Sequence, residues 1–213
     1  MSRPYVLHGY WRSSASWRVR WALLLKKVPF DYVPVNLLKA ENKSNLHLKL
    51  NPTGLLPMLT TPDGTRLVQS MAILEYLDEV FPIPHIFGNS ALESAQIRAL
   101  CEIINADTAP LQAPRIQKRH SSDSAEQTLW AQEWIRAGLK SFASLRHKDG
   151  MFSAGDTITA ADLLLIPQIY NALRYRLDVN EEFPELFEIY ERCLATDEGS
   201  RAVPDMQSDA VSV

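Results

Sequence analysis

The chain has 213 residues, of which 46% are hydrophobic and 22% charged, so it has the length for two compact domains and the composition of an ordinary folded protein. No apolar run approaches the roughly 18 residues that a membrane span requires, which excludes a transmembrane protein. A formal net charge of −3 provides no general attraction to nucleic acid or to an anionic membrane.

The first 82 residues alternate between strand and helix patterns. Trp17, Trp21 and Leu24 recur at helical spacing, and the turn Pro62-Asp63-Gly64 joins two short runs typical of strands. The predicted elements are, in chain order, a strand over residues 4–9, a helix over 13–27, a strand over 30–35, a partly helical stretch over 40–49, strands over 58–61 and 66–69, and a helix over 70–80. The order β-α-β-α-β-β-α predicts an α/β domain over residues 1–82.

The rest of the chain carries only helical patterns. Two prolines and a glycine between residues 81 and 89 interrupt the first domain, which predicts a linker over residues 83–89. Helices are predicted over residues 90–108, 124–146, 159–175 and 184–195. We therefore expect an all-α domain over residues 90–213, with a partly disordered end from about residue 200.

The start of the chain and its cysteines indicate a reducing compartment. The opening MSRPYVLHGYW has one basic residue and no apolar stretch, so no secretory signal is predicted. Cys101 and Cys193 are the only cysteines, and neither belongs to a C-x-x-C or Cys/His cluster that would bind zinc. We expect two buried free thiols, a cytoplasmic protein and no bound metal.

Several segments carry a resemblance to a known family. RSSASWRVRWALLLK, over residues 12–26, resembles the signature S-S-C-x-W-R-V-R-x-A-L, and NPTGLLPML, QSMAILEYL, PLQ and ITAADLLLIPQ...NALRY follow in the matching order and spacing. Over nearly its whole length the chain thus resembles the zeta class of the glutathione transferases. The resemblance implies a thioredoxin-like α/β domain followed by an all-α domain, a glutathione cofactor and a homodimer.

Ser13 and Ser14 stand at the predicted start of the first helix, where the helix dipole and unpaired N–H groups favour an anion. The resemblance implies that glutathione reacts as a thiolate, although a free thiol is mostly protonated near pH 7. A hydroxyl that donates a hydrogen bond to the sulfur lowers the thiol pKa. Ser13 is therefore the predicted catalytic group, with Ser14 assisting or capping; the alternative is that these serines only cap the helix.

Two features of this motif restrict the chemistry. The segment Ser13-Ser14-Ala15-Ser16 stands where thioredoxin and glutaredoxin relatives carry C-x-x-C, so no protein thiol is available for disulfide exchange and the sulfur must come from a ligand. Ala15 also departs from the zeta-class pattern, which usually has cysteine there. No role of that cysteine carries over to this chain.

The resemblance implies five glutathione-binding residues. Leu56, before a cis Pro57, would pair its backbone with the cysteinyl backbone of glutathione; the alternative is a trans proline that only begins a strand. Gln69 and Ser70, at a strand-to-helix junction, suit the γ-glutamyl carboxylate, although Ser70 would cap the helix in any case. Gln112 in PLQ resembles a helical-domain glutamine that reaches toward glutathione.

Arginines are the candidates for binding an acidic substrate, because guanidinium groups bind carboxylates bidentately and stay charged at any working pH. The candidates are Arg12, Arg115 and Arg174, of which Arg174 in NALRY matches the family's substrate-carboxylate position. Ordinary surface arginines are the alternative. Arg18 and Arg20 are expected to form structural or interdomain ion pairs.

The resemblance implies cis–trans isomerisation of a maleyl diketo acid by reversible thiolate addition. The most typical reaction converts 4-maleylacetoacetate to 4-fumarylacetoacetate in phenylalanine and tyrosine breakdown. Maleylpyruvate isomerisation and dehalogenation of α-halo acids need the same thiolate and similar carboxylate contacts, so the sequence leaves both open. A general glutathione-conjugating enzyme and a non-catalytic binding module are further alternatives, although loss of the activating serine would be expected in a binding module.

Overall fold

The computed structural model describes residues 3–211, and the chain divides into two compact units. Within the described residues, unit 1 contains residues 3–84 and 196–211, and unit 2 contains residues 85–195. Residues 196–211 thus group with unit 1, whereas the sequence pattern places them in the second domain.

Unit 1 has the predicted order of strands and helices. Its elements are β1 (Tyr5–Gly9), α1 (Ser14–Leu25), β2 (Phe30–Pro34), a 3-10 turn (Glu41–Lys43), α2 (Asn45–Leu50), β3 (Met58–Thr60), β4 (Arg66–Val68) and α3 (Ser70–Val80). The four strands lie in the order β2-β1-β3-β4. β1 runs parallel to β2 and antiparallel to β3, and β3 runs antiparallel to β4.

The core of unit 1 forms between the sheet and the helices α1 and α3. Leu7 and Leu59 of the sheet are fully buried, as are Trp21 of α1 and Leu74 and Leu77 of α3. The apolar spacing along α3 places Leu74 and Leu77 on one helical face, as expected of a helix that covers a sheet. In contrast, residues 16–23 of α1 are all buried, so α1 is enclosed on all sides.

Unit 2 is helical. Its elements are α4 (Ala91–Glu102), a π-helical segment (Ile103–Thr108), α5 (Pro114–His120), α6 (Ser124–Leu145), α7 (Ala160–Arg174), α8 (Val179–Glu182) and α9 (Pro184–Leu194). One isolated bridge joins Phe152 and Gly155. The four predicted helices are present. The short helices α5 and α8 were not predicted, because each has too few residues to show an apolar face at helical spacing.

Helix α7 forms the centre of unit 2. Residues 163–166 are fully buried, so the helix is apolar on all sides, as expected of one surrounded by others. Asp162 is also fully buried, and its carboxylate accepts hydrogen bonds from the N–H groups of Ser153 at 2.9 Å and Thr159 at 2.8 Å. The carboxylate thus satisfies backbone donors at the start of the helix, as the capping pattern in the sequence indicates.

The chain was expected to be partly disordered from about residue 200; residues 200–211 include helix and turn, and residues 212 and 213 lie outside the described residues. Helix α10 (Asp197–Ala202) and a 3-10 turn (Pro204–Met206) follow α9, and α10 packs against α1 in unit 1. Ala202 is fully buried there. Within residues 3–211, every helix is too short or too polar to cross a bilayer.

Candidate functional site

The sheet register brings three predicted segments to one edge of unit 1. His8 pairs with Met58, and Met58 pairs with Val68. The end of β1, the start of β3 and the end of β4 therefore lie side by side. Ser13 follows β1, Leu56-Pro57 precedes β3, and Gln69-Ser70 follows β4, so all three segments begin from the same sheet edge.

Ser13 is the N-cap of α1. Its hydroxyl oxygen accepts a hydrogen bond from the backbone N–H of Ser16 at 3.3 Å, and its own N–H donates to the carbonyl of Tyr10 at 3.0 Å. Among residues 3–211, no group accepts the hydroxyl hydrogen of Ser13. The predicted capping role thus belongs to Ser13, and the cap leaves its O–H able to donate to a ligand atom.

The first turn of α1 provides further favourable potential for an anion. Ser14 is the first residue of the helix, and Ala15 follows it. The N–H of Ala15 has no partner among the described residues, as is usual in the first turn of a helix. The first turn contains no acidic residue that would oppose an anion.

Leu56 presents an open backbone at the same edge. The Leu56–Pro57 peptide bond is cis, as the resemblance implies. Neither the N–H nor the C=O of Leu56 has a hydrogen-bond partner within residues 3–211. Since an unpaired donor and acceptor beside a sheet suit an extended ligand backbone, Leu56 fits the role predicted for it.

Gln69 and Ser70 form the junction between β4 and α3. Gln69 has φ of 70° and ψ of 116°, a rare conformation for a residue with a side chain, and its side chain is exposed. Ser70 is buried, and its hydroxyl accepts a hydrogen bond from Nη1 of Arg18 at 3.2 Å. Arg18 therefore connects α1 to the start of α3 within unit 1 by a hydrogen bond, whereas the expected contact was an ion pair.

Arg12 lies between Trp11 and Ser13 in the chain. Its guanidinium carbon is 5.2 Å from the centroid of the Trp11 ring, within the range of a cation–π contact. Trp11 is only 2% exposed, whereas Arg12 is half-buried. The position of the predicted substrate ligand Arg12 thus depends on that of Trp11.

Unit 2 contains the remaining predicted residues. Gln112 is buried and forms two hydrogen bonds with Gln168 of α7: the Gln112 amide nitrogen donates at 2.7 Å, and the Gln168 amide nitrogen donates back at 3.0 Å. The side-chain amide of Gln117 donates to the backbone carbonyl of Gln112 and to the hydroxyl of Tyr175, each at 2.5 Å. A contact from Gln112 to glutathione would have to use the second N–H of its side-chain amide or the second lone pair of the amide oxygen.

The two arginines of unit 2 that were predicted to bind substrate are exposed. Arg115 lies in α5, directly after its first residue, and Arg174 is the last residue of α7. The planar guanidinium group of an arginine suits a carboxylate. Their roles as substrate ligands stay predictions.

Cysteine chemistry does not contribute to this arrangement. Cys101 and Cys193 are buried, and neither forms a disulfide bond. Burial raises the pKa of the Cys193 thiol strongly, and the charge of Asp162 raises it further. A protonated, buried thiol is a poor nucleophile, so the sulfur of any thiolate reaction must come from a ligand.

Known proteins resemble the chain over both units. The family models described as glutathione S-transferase N-terminal domain and C-terminal domain match residues 12–80 and 110–198. Maleylacetoacetate isomerase of Dictyostelium discoideum is 37% identical to the chain, over 96% of the chain and 95% of the relative.

The holo structure of a maleylpyruvate isomerase, described as a bacterial zeta-class glutathione S-transferase, superposes with a TM-score of 0.92 at 36% identity, covering 97% of the chain and 100% of its own. The maleylacetoacetate isomerase of Anaeromyxobacter dehalogenans, with glutathione bound in its active site, has a TM-score of 0.88 at 38% identity, with 98% of each chain covered.

The chain belongs to the zeta class of the glutathione transferase family. The predicted fold class, a thioredoxin-like α/β domain with an all-α domain, is therefore confirmed. This zeta-class chain keeps both serines of the signature and has Ala15 where that signature carries cysteine.

Two residues that contact a predicted site residue or its chain neighbour were not predicted from the sequence. Gln168 stands inside the apolar run of α7, and a buried amide in such a run is the signal that could have identified it as a hydrogen-bonding partner. Asp209 accepts a hydrogen bond from the N–H of Trp11 at 3.0 Å. No local pattern could have identified that contact, because 198 positions separate the two residues.

Proposed function

We propose that this zeta-class glutathione transferase is a glutathione-dependent cis–trans isomerase of maleyl diketo acids. The observation that carries the proposal is the state of Ser13, whose hydroxyl caps α1 with its oxygen while its hydrogen stays available. The names and structures of the relatives support the same activity.

The residues at the sheet edge fit the glutathione that the family uses. Leu56 offers its unpaired N–H and C=O to the peptide backbone of the cofactor, and Gln69-Ser70 offer an amide and a helix start to a carboxylate. When bound, glutathione supplies a thiolate that adds reversibly to the cis double bond, so that rotation and elimination yield the trans product.

Ser13 and α1 hold the sulfur as the thiolate. The hydroxyl of Ser13 donates a hydrogen bond to it, and the helix N-terminus with the free N–H of Ala15 adds favourable potential. Both effects lower the thiol pKa toward the working pH, where an unperturbed thiol is mostly protonated. Ser14, the first residue of the helix, assists.

Arginines bind the acidic substrate. Arg12, Arg115 and Arg174 carry permanent charge and are half-buried or exposed. Their guanidinium groups hold the substrate carboxylates and stabilise the negative charge that develops on the carbonyl oxygen during addition.

Two substrates are supported by relatives. 4-Maleylacetoacetate is the first candidate, because relatives such as that of Dictyostelium discoideum carry the name maleylacetoacetate isomerase. Maleylpyruvate is the second, because the maleylpyruvate isomerase structure superposes at a TM-score of 0.92. Both are maleyl keto acids with a carboxylate at each end, so one arrangement of arginines suits both.

An isomerase assay with and without glutathione, on maleylacetoacetate and maleylpyruvate in parallel, tests the proposal. We expect turnover only with glutathione present. Ser13→Ala should lower kcat by about a hundredfold or more while leaving glutathione affinity within a few-fold, because it removes the donor to the sulfur and not the ligand's backbone contacts.

Ser90→Ala is the matched control. Ser90 caps α4 in the same way, since its hydroxyl accepts from the N–H of Glu93 at 3.2 Å. Both variants should lose about 1 kcal/mol of cap stabilisation, but only Ser13→Ala should lose turnover. Full activity of Ser13→Ala would remove Ser13 as the thiol activator.

We also propose a cytoplasmic homodimer. Two buried cysteines that form no disulfide bond suit a reducing compartment, and the family is typically dimeric. Sedimentation equilibrium should give twice the mass of 24.1 kDa, and a monomer at micromolar concentration would contradict the proposed dimer.

A further inference from the structure

The segment over residues 196–211 belongs to unit 1, although it follows the helices of unit 2. Its first part, α10, packs against α1. Arg20 of α1 is 1% exposed, and its Nε and Nη2 donate to the carbonyl of Ala202 at 2.9 and 2.7 Å. The C-terminal segment is thus hydrogen-bonded to α1, the helix that Ser13 caps.

The backbone of Trp11 is held by Asp209 of this segment on one side and by Arg20 of α1 on the other. Its N–H donates to Oδ2 of Asp209 at 3.0 Å, and its carbonyl accepts from Nη2 of Arg20 at 3.4 Å. The same oxygen of Asp209 accepts from the hydroxyl of Tyr32 at 3.3 Å. We call Trp11, Arg20, Ala202 and Asp209 the C-terminal clamp.

Two residues of the clamp, Arg20 and Asp209, carry opposite charges. Burial lowers the pKa of Arg20 to about 10, while the nearby Tyr32 and Asp209 act in the opposite direction. Nη1 of Arg20 and Oδ1 of Asp209 are both buried and have no hydrogen-bond partner among the described residues. Asp209 thus provides attraction to the buried charge of Arg20, and its removal takes that attraction away.

Trp11 is also adjacent to the groups that carry the proposed chemistry. Arg12 stacks its guanidinium on the Trp11 ring, and the carbonyl of Tyr10 accepts the N–H of Ser13 at 3.0 Å. A displacement of Trp11 therefore moves Arg12 directly and moves Ser13 through two peptide bonds.

We propose that Asp209 is a positioning residue: through the C-terminal clamp it fixes Trp11, and thereby places the hydroxyl of Ser13 and the guanidinium of Arg12 for reaction. The inference rests on the function proposed for Ser13. Positioning of this kind matters because a displacement of about 1 Å at a reacting group costs up to about a hundredfold in rate.

The test compares Asp209→Ala and Asp209→Asn with Asp205→Ala, using the full chain. Asp205 is exposed, lies in the same segment and has no part in the clamp, so it is the matched control. Amide hydrogen exchange of residues 10–13 in the ligand-free protein reports on the clamp itself. We expect exchange about tenfold faster or more in Asp209→Ala, unchanged exchange in Asp205→Ala, and partial rescue in Asp209→Asn, whose amide oxygen still accepts from Trp11.

Kinetics and spectroscopy report on the consequence. Absorbance of the thiolate against pH, with glutathione bound, should show a higher thiol pKa in Asp209→Ala, and kcat with maleylacetoacetate should fall about tenfold or more. Asp205→Ala should match the native protein in both measurements.

Two results would overturn the inference. One is unchanged exchange at residues 10–13 in Asp209→Ala. The other is faster exchange spread evenly over unit 1 with an unchanged thiol pKa in Asp209→Asn and Asp209→Ala, which would make Asp209 a structural residue only. Failure of the proposed function has a different signature, namely native turnover without glutathione or full activity of Ser13→Ala, and neither alters the exchange measurement.

Discussion

A single hydroxyl at Ser13 performs two tasks that do not compete. Its oxygen lone pair accepts the N–H of Ser16 and begins α1, while its hydrogen is left for a ligand. Accepting a hydrogen bond makes the hydroxyl a better donor, since linked hydrogen bonds polarise one another. A cysteine or alanine at this position would supply only part of this arrangement.

At the residue scale, we predict that Arg174→Ala raises KM for maleylacetoacetate about tenfold or more, because a charge-assisted hydrogen bond to a substrate carboxylate contributes about 1.5–3 kcal/mol. Initial rates across substrate concentrations measure the effect. Arg119→Ala is the control, since Arg119 is an exposed arginine of α5 without an assigned role. An unchanged KM in Arg174→Ala would remove this residue from the substrate site.

At the scale of the elements, long side chains join helices that local patterns treat separately. A cation at the end of a helix is favoured by the helix dipole, and Lys26 stands at the end of α1. Its ammonium group binds Asp78 of α3 at 2.7 Å and the carbonyls of Phe81 and Pro84 at 2.7 and 2.8 Å. The buried charge is thereby paired and hydrogen-bonded, and it holds the end of α3 against α1.

The start of α7 depends on one carboxylate, so we predict that Asp162→Ala lowers the free energy of unfolding by about 3 kcal/mol. The substitution leaves the buried N–H groups of Ser153 and Thr159 without an acceptor. The urea midpoint measures the loss. Asp149→Ala, at an exposed position of unit 2, should leave it unchanged, and equal midpoints in the two variants would contradict the capping role.

At the scale of the whole molecule, stability should decrease as the pH is lowered from 7.5 to 6.0. Burial lowers the pKa of His8, with smaller contributions from the charges of His47 and Arg66, and burial also lowers the pKa of His47. The unfolded chain, with histidine pKa values near about 6.5, binds more protons in this range, so acidification favours unfolding. Burial raises the pKa of the Asp162 carboxyl, an effect of opposite sign, so the histidine contribution is measured with histidine variants.

Urea midpoints at the two pH values measure this dependence. The double variant His8→Gln/His47→Gln should show a weaker dependence than the native protein, whereas His147→Gln, at an exposed histidine, should retain it. An equal dependence in the native protein and the double variant would exclude these histidines as the cause.

Local chemistry explains how much of the fold could be predicted. The alternation of strands and helices in residues 1–82, the start of α1 at Ser13 and the cis Leu56–Pro57 bond all follow from short motifs or from the family resemblance that those motifs carry. The π-helical segment Ile103–Thr108 was predicted as ordinary helix, because its apolar spacing hardly differs from that of an α-helix.

The sequence by itself determined the elements, their order, the family and the absence of a C-x-x-C at the reacting position, because each of these depends on neighbouring residues. Only the tertiary structure decided which distant groups meet. Strand register brought Leu56 and Gln69 to the edge that Ser13 follows, Gln112 met Gln168 across 56 positions, and Asp209 met Trp11 across 198. Such pairs are set by packing of whole elements, and no periodicity within a short window of sequence encodes them.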